Sequence, residues 1–389
     1  MTAQSICESV YKERYHSEPT VVSQAPGRIE ILGNHTDYNG GYVFSVAIDK
    51  TIIIQAEPCD DSMVTLYSIA MDDETTFSLD DITQDPAHIW SNYLKGVLVQ
   101  LQNKGVKFGG FRAVIGGDLP IGGGISSSAA LEAATALIVK ALYPYQMETM
   151  ELAKLCRAAE NEFVGMPCGL LDQFSSFFGK KDSFLCLDCK SLEHQSIALS
   201  IEAPRLVLCD SGVIHDLVES EYRDRRAQCE GAASILGEHL GRPVKLLRDI
   251  SMQEFTSHED VLDEVQRMRA HHVFFENQRV QQGIAAVKVN DLSNLGELMH
   301  QSHQSSRDFF ENSCPELDWL VEQAVNFDGC YGSRLTGGGF AGWTVNLIKQ
   351  DRVDVFLETM TKLYEEKYGR PCSTMICGIG DGARIVEKG

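Results

Sequence analysis

Positive charge is scarce in this chain. Its 34 lysines and arginines face 55 aspartates and glutamates, a formal net charge of −21. Such a surface repels nucleic-acid phosphates and anionic membranes, so neither is expected as a partner, although a local basic site could still hold a small anion. Long apolar runs are missing too: none reaches the ~18 residues that span a bilayer. The opening stretch, MTAQSICESVYKERYHSEPT, lacks the apolar centre of a signal peptide and reads as an amphipathic helix. No G-x-x-x-x-G-K-[ST] occurs, which excludes a Walker phosphate loop. There is no internal repeat, low-complexity tract or long linker.

Cysteine is plentiful, but zinc-type pairing is not. With no export signal, the 12 cysteines are expected as reduced thiols in the cytoplasm. Cys186 and Cys189 form one C-x-x-C, and no second pair stands at the spacing of a structural zinc site. They read as small buried hydrophobes.

What remains is the composition of a soluble globular protein, 43% hydrophobic and 23% charged. A length of 389 residues predicts two domains or one large two-lobed unit. Residues 43–58, VFSVAIDKTIIIQAEP, and 109–117 read as strands, as do GWTVNLI and ARIVEK near the end. Residues 126–143 and 147–165 read as helices, the first nearly all apolar and so expected to be buried. The stretch from about 260 to 325 is strongly helical. Strands and helices mix without regular β-α-β alternation, which predicts an α+β protein and not a doubly wound parallel sheet.

Three stretches carry chemistry. In GGDLPIGGGISSSAALEAA, residues 116–134, glycines and serines lie between a strand and an apolar helix. Glycines let backbone amides approach a ligand, and a helix start offers unpaired N–H groups with partial positive charge. That combination predicts an anion site, most often for phosphate. Ser126, Ser127 and Ser128 add hydroxyls for phosphate oxygens or a hard cation. In AAENEFVGMPCGLLDQFSSFFG, residues 158–179, Glu160 stands near a helix end. Asp172 stands among apolar residues, where a carboxylate is either a helix cap or a functional group beside a cation such as Arg28. Finally GRIEILGNHTDYNGG, residues 27–41, crowds Arg28, Glu30, Asn34, His35 and Asp37 into what reads as a short turn between apolar stretches. LTGGGFAGW, residues 335–343, matches G-x-G-x-x-G, but without a following β-α-β unit it reads as a tight turn lining the same site.

Together these stretches resemble the galactokinases, within the GHMP small-molecule kinases, along the whole chain. PGRIEILGNHTDYNGG is similar to the galactokinase sugar motif and PIGGGISSSAALE to the ATP-phosphate motif. GMPCGLLDQF and GSRLTGGGFAG resemble two further blocks, and WSNYLKGV, SEYRDRRAQCE and SHQSSRDFFENSCPELDWL follow in the family's order. The resemblance implies ATP-dependent phosphorylation of the anomeric hydroxyl of galactose, giving galactose 1-phosphate. It also implies a two-lobed α+β fold with the active site in the cleft, residues 1–200 forming the N-terminal and 201–389 the C-terminal GHMP unit. By position, Asp172 is implied as the base and Arg28 as its partner. Ser128 and Glu160 match magnesium ligands. Gly122, Gly123, Gly124, Ser126, Ser127 and Ser128 match the phosphate cradle, and Ser68 and Trp90 the nucleotide contacts. Asn34, His35, Asp37, Gly169 and Tyr222 match sugar contacts. ATP and Mg²⁺ are the implied cofactors, a small sugar and ATP the partners, and the chain is expected to be a monomer or weak homo-oligomer.

One departure stands out. The family usually reads G-R-[VI]-N-[LI]-I-G-E-H-T-D-Y, and this chain reads G-R-I-E-I-L-G-N-H-T-D-Y. The acid and the amide, Glu30 and Asn34, have changed places. If they are neighbours, the pocket keeps one carboxylate and one amide, and galactose is the expected sugar. If Asn34 alone faces the sugar, another hexose, an amino sugar or a uronic acid such as galacturonate is expected. Some galactokinase relatives bind sugar and ATP without turnover, but those with a damaged phosphate loop lack part of the Ser-Ala stretch, which is complete here.

Overall fold

The computed structural model describes residues 2–121, 124–213 and 218–386. Two sheets and eleven helices are assigned among them. The first sheet contains β1 (Val21–Leu32), β2 (Tyr42–Pro58), β3 (Met63–Ser68), β4 (Asp73–Ser78), β5 (Phe111–Gly117), β6 (Ser183–Asp188) and β7 (His194–Ala198). The second contains β8 (Arg205–Asp210), β9 (Cys330–Leu335), β10 (Trp343–Ile348) and β11 (Thr374–Cys377). A last strand, β12 (Arg384–Ile385), returns to the first sheet and pairs antiparallel with β1 through Ser23 and Gln24.

In the first sheet the order is β12-β1-β2-β5-β3-β4, antiparallel except for the β3–β5 pair. β2 is long enough for its first residues to pair with β6 and its last with β5. Its side chains alternate between faces, as the pleat requires. Ile53 joins Cys7 and Val22 under α1 (Ala3–Tyr15), while Ile52 and Ile54 enter the main core on the opposite face. α2 (Ser91–Asn103), α3 (Ser127–Leu142), α4 (Thr149–Ala158) and α5 (Leu171–Phe178) pack around that core. α3 touches sheet and helices alike, so its apolar residues are buried on nearly every side.

The second sheet, ordered β11-β8-β10-β9, is wholly antiparallel. The alternation works again: Val207 and Cys209 face α10 (Pro315–Val325) and α11 (Val353–Tyr368), while Leu206 and Leu208 join the main core. α8 (Glu264–Lys288) and α9 (Leu292–Ser305) lie between the sheets. α6 (Val218–His239) and α7 (Met252–His258) complete a smaller helical cluster with α8. This is the α+β, two-lobed arrangement expected from the sequence.

Two local readings change. The polar stretch 27–41 is not all turn: Arg28 and Glu30 lie within β1, and only the part after Leu32 turns. Pairing with β2 extends the strand through the polar residues, whose side chains serve the cleft. Among the described residues of ARIVEK, the strand is confined to Arg384 and Ile385, and Glu387 and Lys388 lie outside the described residues.

Candidate active site

The site is assembled at the ends of the elements just described. Arg28 projects from β1 and Asp172 from the first turn of α5, where the helix dipole favours an acid. Arg28 Nε and Nη2 both donate to Asp172 Oδ1, at 2.8 and 2.7 Å. Arg28 Nη1 donates to the carbonyl of Gly124, and the hydroxyl of Ser126 donates to Asp172 Oδ2. The carboxylate is therefore held on both oxygens.

Two cavities meet at this pair. One, of about 330 Å³, is lined by Glu30, Asn34, His35, Asp37, Gly169 and Tyr222, among others, and by Arg28 and Asp172. The other, of about 930 Å³, also includes Arg28 and Asp172 and extends past Ser68, Trp90, Ser126, Ser127 and Ser128. Ile52, Ile69, Ile115 and Leu131 give this larger cavity apolar walls. The structure thus brings together almost every residue singled out in the sequence. Gly122 and Gly123 lie outside the described residues.

The start of α3 borders the larger cavity. Ser126 is the helix's N-cap but adopts a left-handed backbone (φ 62°), and its hydroxyl is spent on Asp172 and not on the first amides. Ser128 Oγ donates to Glu160 Oε1 at 3.2 Å. Glu160 stands in a π-helical stretch, Ala159–Val164, that continues α4. A second such stretch, Ser306–Phe310, continues α9 and also reaches the site. Widened turns of this kind re-aim side chains and are common at functional positions. Burial, and then the charge of Asp172, push Glu160 up to about 7.

Behind Glu160 lies a layer that sequence reasoning missed. Gln173 Nε2 donates to Glu160 Oε2 at 2.8 Å and to Glu132 Oε2 at 3.0 Å. Glu132 has no exposed surface, and burial raises its pKa well above the usual carboxylate range. Both residues stood in quoted motifs, but nothing in the spacing said that they face each other.

The smaller cavity has a rigid polar wall. Asp37 begins a 3₁₀ turn, and Gly169 packs directly on its carboxylate: a Cβ at Gly169 would fall 1.6 Å from Asp37 Oδ2. Burial raises Asp37 to about 6, and the charges of Asp172 and Glu30 add to the rise. His35 holds its ring between the Tyr38 hydroxyl (2.9 Å) and the carbonyl of Gly338 (3.0 Å). Since that carbonyl only accepts, Nε2 carries the proton. Burial lowers the histidine to about 3, so the ring is neutral. With Tyr38, Tyr222 and Phe310 it forms an aromatic cluster. The Tyr222 phenol is itself pushed well above its usual value by burial.

Glu30 and Asn34 are neighbours. Asn34 Nδ2 donates to Glu30 Oε1 at 3.0 Å, so the exchange keeps one carboxylate and one amide in one pocket. Arg334, fully buried, donates to the same oxygen at 2.7 Å. Deeper still, Glu276 accepts the amides of Gly33 and Asn34 and the hydroxyl of Ser302. Burial pushes Glu276 up, but Arg279, His272 and Arg334 hold it well below the usual carboxylate range. Arg334 stood unremarked in GSRLTGGGF, and Glu276 in an ordinary helical run.

Comparison with known proteins agrees with this geometry. Residues 9–58 match the galactokinase galactose-binding signature, 92–180 the GHMP kinases N terminal domain and 284–365 the GHMP kinases C terminal domain. The chain is 39% identical over 379 residues to a galactokinase of Roseiflexus sp. (strain RS-1), covering 97% of this chain and 96% of that one. It is 35% identical to a galactokinase of Bacillus subtilis (strain 168), covering 93% and 94%. Among solved structures, Lactococcus lactis galactokinase complexed with galactose superposes with a TM-score of 0.92 at 32% identity, covering 98% of this chain and 99% of that one. Methanococcus jannaschii mevalonate kinase shares the fold, with a TM-score of 0.64 at 17% identity over 92% and 98%. The chain belongs to the galactokinase family of the GHMP kinases, and is a sugar kinase.

Proposed function

We propose that this protein transfers the γ-phosphoryl group of ATP to the anomeric hydroxyl of galactose, giving galactose 1-phosphate and ADP. The observation that carries the reading is the position of Arg28 and Asp172, the wall common to a small polar cavity and a larger, partly apolar one. The sugar occupies the first and the nucleotide the second, so the reacting oxygen and phosphorus meet at the pair. Asp172 takes the hydroxyl proton as the new O–P bond forms and the bond to the bridging oxygen of ADP breaks. Arg28 positions Asp172 and stabilises charge on the attacking oxygen. Phosphoryl transfer depends chiefly on such positioning and charge neutralisation.

The smaller cavity favours a neutral polyol. Glu30, Asp37, Glu160 and Asp172 line it, against one guanidinium that is already paired with Asp172. A carboxylate on the sugar would add repulsion, which argues against a uronic acid. His35, Tyr222 and Gly169 shape the pocket, and Asp37 accepts from sugar hydroxyls. Ser68 and Trp90 contact the nucleotide. Gly124, Ser126, Ser127 and Ser128 cradle its phosphates.

Ser128 and Glu160 are the residues that would hold Mg²⁺. A hydroxyl and a buried carboxylate 3.2 Å apart form a hard oxygen donor set, and Mg²⁺ keeps its remaining positions for phosphate and water. When bound, the ion would offset the charge of the phosphates. Residues 1–200 then carry the sugar motif and the phosphate loop, and 201–389 close the sugar cavity through Tyr222 and Gly337. One chain lines both cavities, so a monomer suffices. All 12 cysteines are free, as a reducing cytoplasm would keep them.

The test is to incubate purified protein with Mg-ATP and a panel of free sugars, and to identify products by phosphorus NMR. Galactose 1-phosphate is expected. Phosphorylation of another sugar with galactose untouched would overturn the substrate, and no turnover of any sugar would overturn the reaction.

A further inference from the structure

The exchange of acid and amide in the sugar motif leaves a question of direction: which of the two side chains meets the ligand? Asn34 is fully committed to protein. Its two N–H groups donate to Glu30 Oε1 (3.0 Å) and to the Gly337 carbonyl (2.8 Å). Its carbonyl oxygen accepts from Asn312 Nδ2 (2.9 Å) and Ser306 Oγ (3.2 Å). Two donors and two lone pairs exhaust an amide.

Glu30 is committed on one side only. Oε1 receives both Asn34 and Arg334 Nη1. Oε2 has no hydrogen-bond partner among the described residues, yet it is not among the fully enclosed polar atoms without a partner. The residue is only 4% exposed and lines the small cavity, so the open face of Oε2 is the cavity itself. Glu30 does not line the nucleotide cavity, which places it on the sugar side, away from the reacting oxygen.

The support behind this oxygen is built from buried groups. Arg334 has no exposed surface, and its Nε and Nη2 are buried without partners. A guanidinium in that position is unfavourable unless its charge is used, and the carboxylate it pairs with directly among the described residues is Glu30. The result is a carboxylate locked on one oxygen and aimed with the other.

We infer that Glu30 is a specificity-determining residue whose Oε2 accepts a hydrogen bond from one non-anomeric hydroxyl of the sugar, with Asn34 and Arg334 as its struts. This rests on the sugar occupying the small cavity. A carboxylate accepts and cannot donate, so the partner must bring a proton. A sugar lacking that hydroxyl leaves a buried charged acceptor unpaired, which is how such sites discriminate.

The test crosses one substitution with a set of sugars. In Glu30→Gln, the amide carbonyl replaces Oε1, because Arg334 and Asn34 both donate there. The amide nitrogen then faces the cavity, so a charged acceptor becomes a neutral donor. Wild type and variant are assayed with galactose and its 2-, 3-, 4- and 6-deoxy analogues. We expect about a tenfold loss of kcat/KM for galactose in the variant, in line with the greater strength of charge-assisted hydrogen bonds. With one deoxy sugar the loss should vanish. KM for ATP should not move, whereas a general loosening of the fold would shift it. An equal loss with every sugar, or no loss with galactose, overturns the inference while the kinase reading stands. A wild type that phosphorylates none of these sugars overturns the kinase reading instead. Should Glu30→Gln fail to fold, Glu30→Asp keeps the charge but withdraws the oxygen, and the same cross of variant and deoxy sugar decides.

Discussion

Arg28 grips a single oxygen of Asp172 with two nitrogens, at 2.8 and 2.7 Å, and leaves the other oxygen to the hydroxyl of Ser126. The guanidinium of Arg28 is fixed in turn by the carbonyl of Gly124, in the loop before α3. The stretch around Arg28, the glycine-serine loop before α3 and the start of α5 are thereby tied at one point. Three distant segments must agree before the carboxylate can face both cavities.

Removing the charge should stop chemistry and spare the fold. For Asp172→Asn we expect turnover to fall by about 10² or more, the usual scale of a general base. Some loss of melting temperature is expected, because buried Arg28 keeps a carbonyl acceptor but loses its ionic partner, and the melt should stay cooperative. Arg28→Lys should also slow turnover, since an ammonium cannot reproduce the two-nitrogen grip together with the contact to Gly124. Steady-state rates and thermal melts check both. Near-normal turnover in Asp172→Asn would remove it from the reaction.

Gly169 offers a test confined to the sugar side. An alanine methyl would land 1.6 Å from Asp37 Oδ2, so the carboxylate must move. For Gly169→Ala we expect KM for the sugar to rise about tenfold or more, the scale of a lost hydrogen bond to a charged group. KM for ATP should hold. Equal rises in both constants would show a general collapse of the cleft and not a displaced Asp37.

Glu132 tests the layer behind Glu160. Glu132 reaches the site through Gln173, and a leucine there leaves one buried N–H of Gln173 without its acceptor, a loss of about 1–3 kcal/mol. Glu132→Leu should therefore melt lower and also need more Mg²⁺ for half-maximal rate, because Gln173 no longer holds Glu160 in place. Glu132→Gln, able to accept from Gln173, should behave nearly as wild type. If Glu132→Leu lost stability with an unchanged Mg²⁺ requirement, the layer would be structural only.

These residues also mark where the sequence could be read and where it could not. Segments with strong local signals were legible: β2 through its valines and isoleucines, α3 through its apolar run, the phosphate loop through glycine and serine beside a helix start. Arg28, Asp172 and Asn34 were legible through motif. Arg334 and Glu276 were not. Each is one charged residue in an unremarkable strand or helix, and each acquires meaning only when two sheets and α8 close around the smaller cavity. The π-helical turns at Ala159–Val164 and Ser306–Phe310 were illegible for a related reason. Their extra residue per turn is imposed by what they must reach, which is set by tertiary packing and not by local propensity.

Asp37 should make sugar binding depend on pH. Its carboxyl is raised to about 6 in the folded protein, first by burial and then by neighbouring acids. An acid raised on folding favours its neutral form there. Its contribution to stability is thus complete below the unfolded value near 4 and is lost as pH rises through about 6. Binding runs the other way. A sugar hydroxyl donating to Asp37 favours the ionised form, so galactose should pull the pKa down and release a proton. Affinity should then be constant above about pH 6 and weaken below it, approaching tenfold per pH unit. Titration calorimetry in buffers of different ionisation heat measures both the affinity and the proton release. Asp37→Asn should bind more weakly at neutral pH and lose this dependence between pH 5 and 7. If the variant kept the same slope, the proton would belong to another group lining the cavity, and Asp37 would not be a carboxylate that the sugar meets.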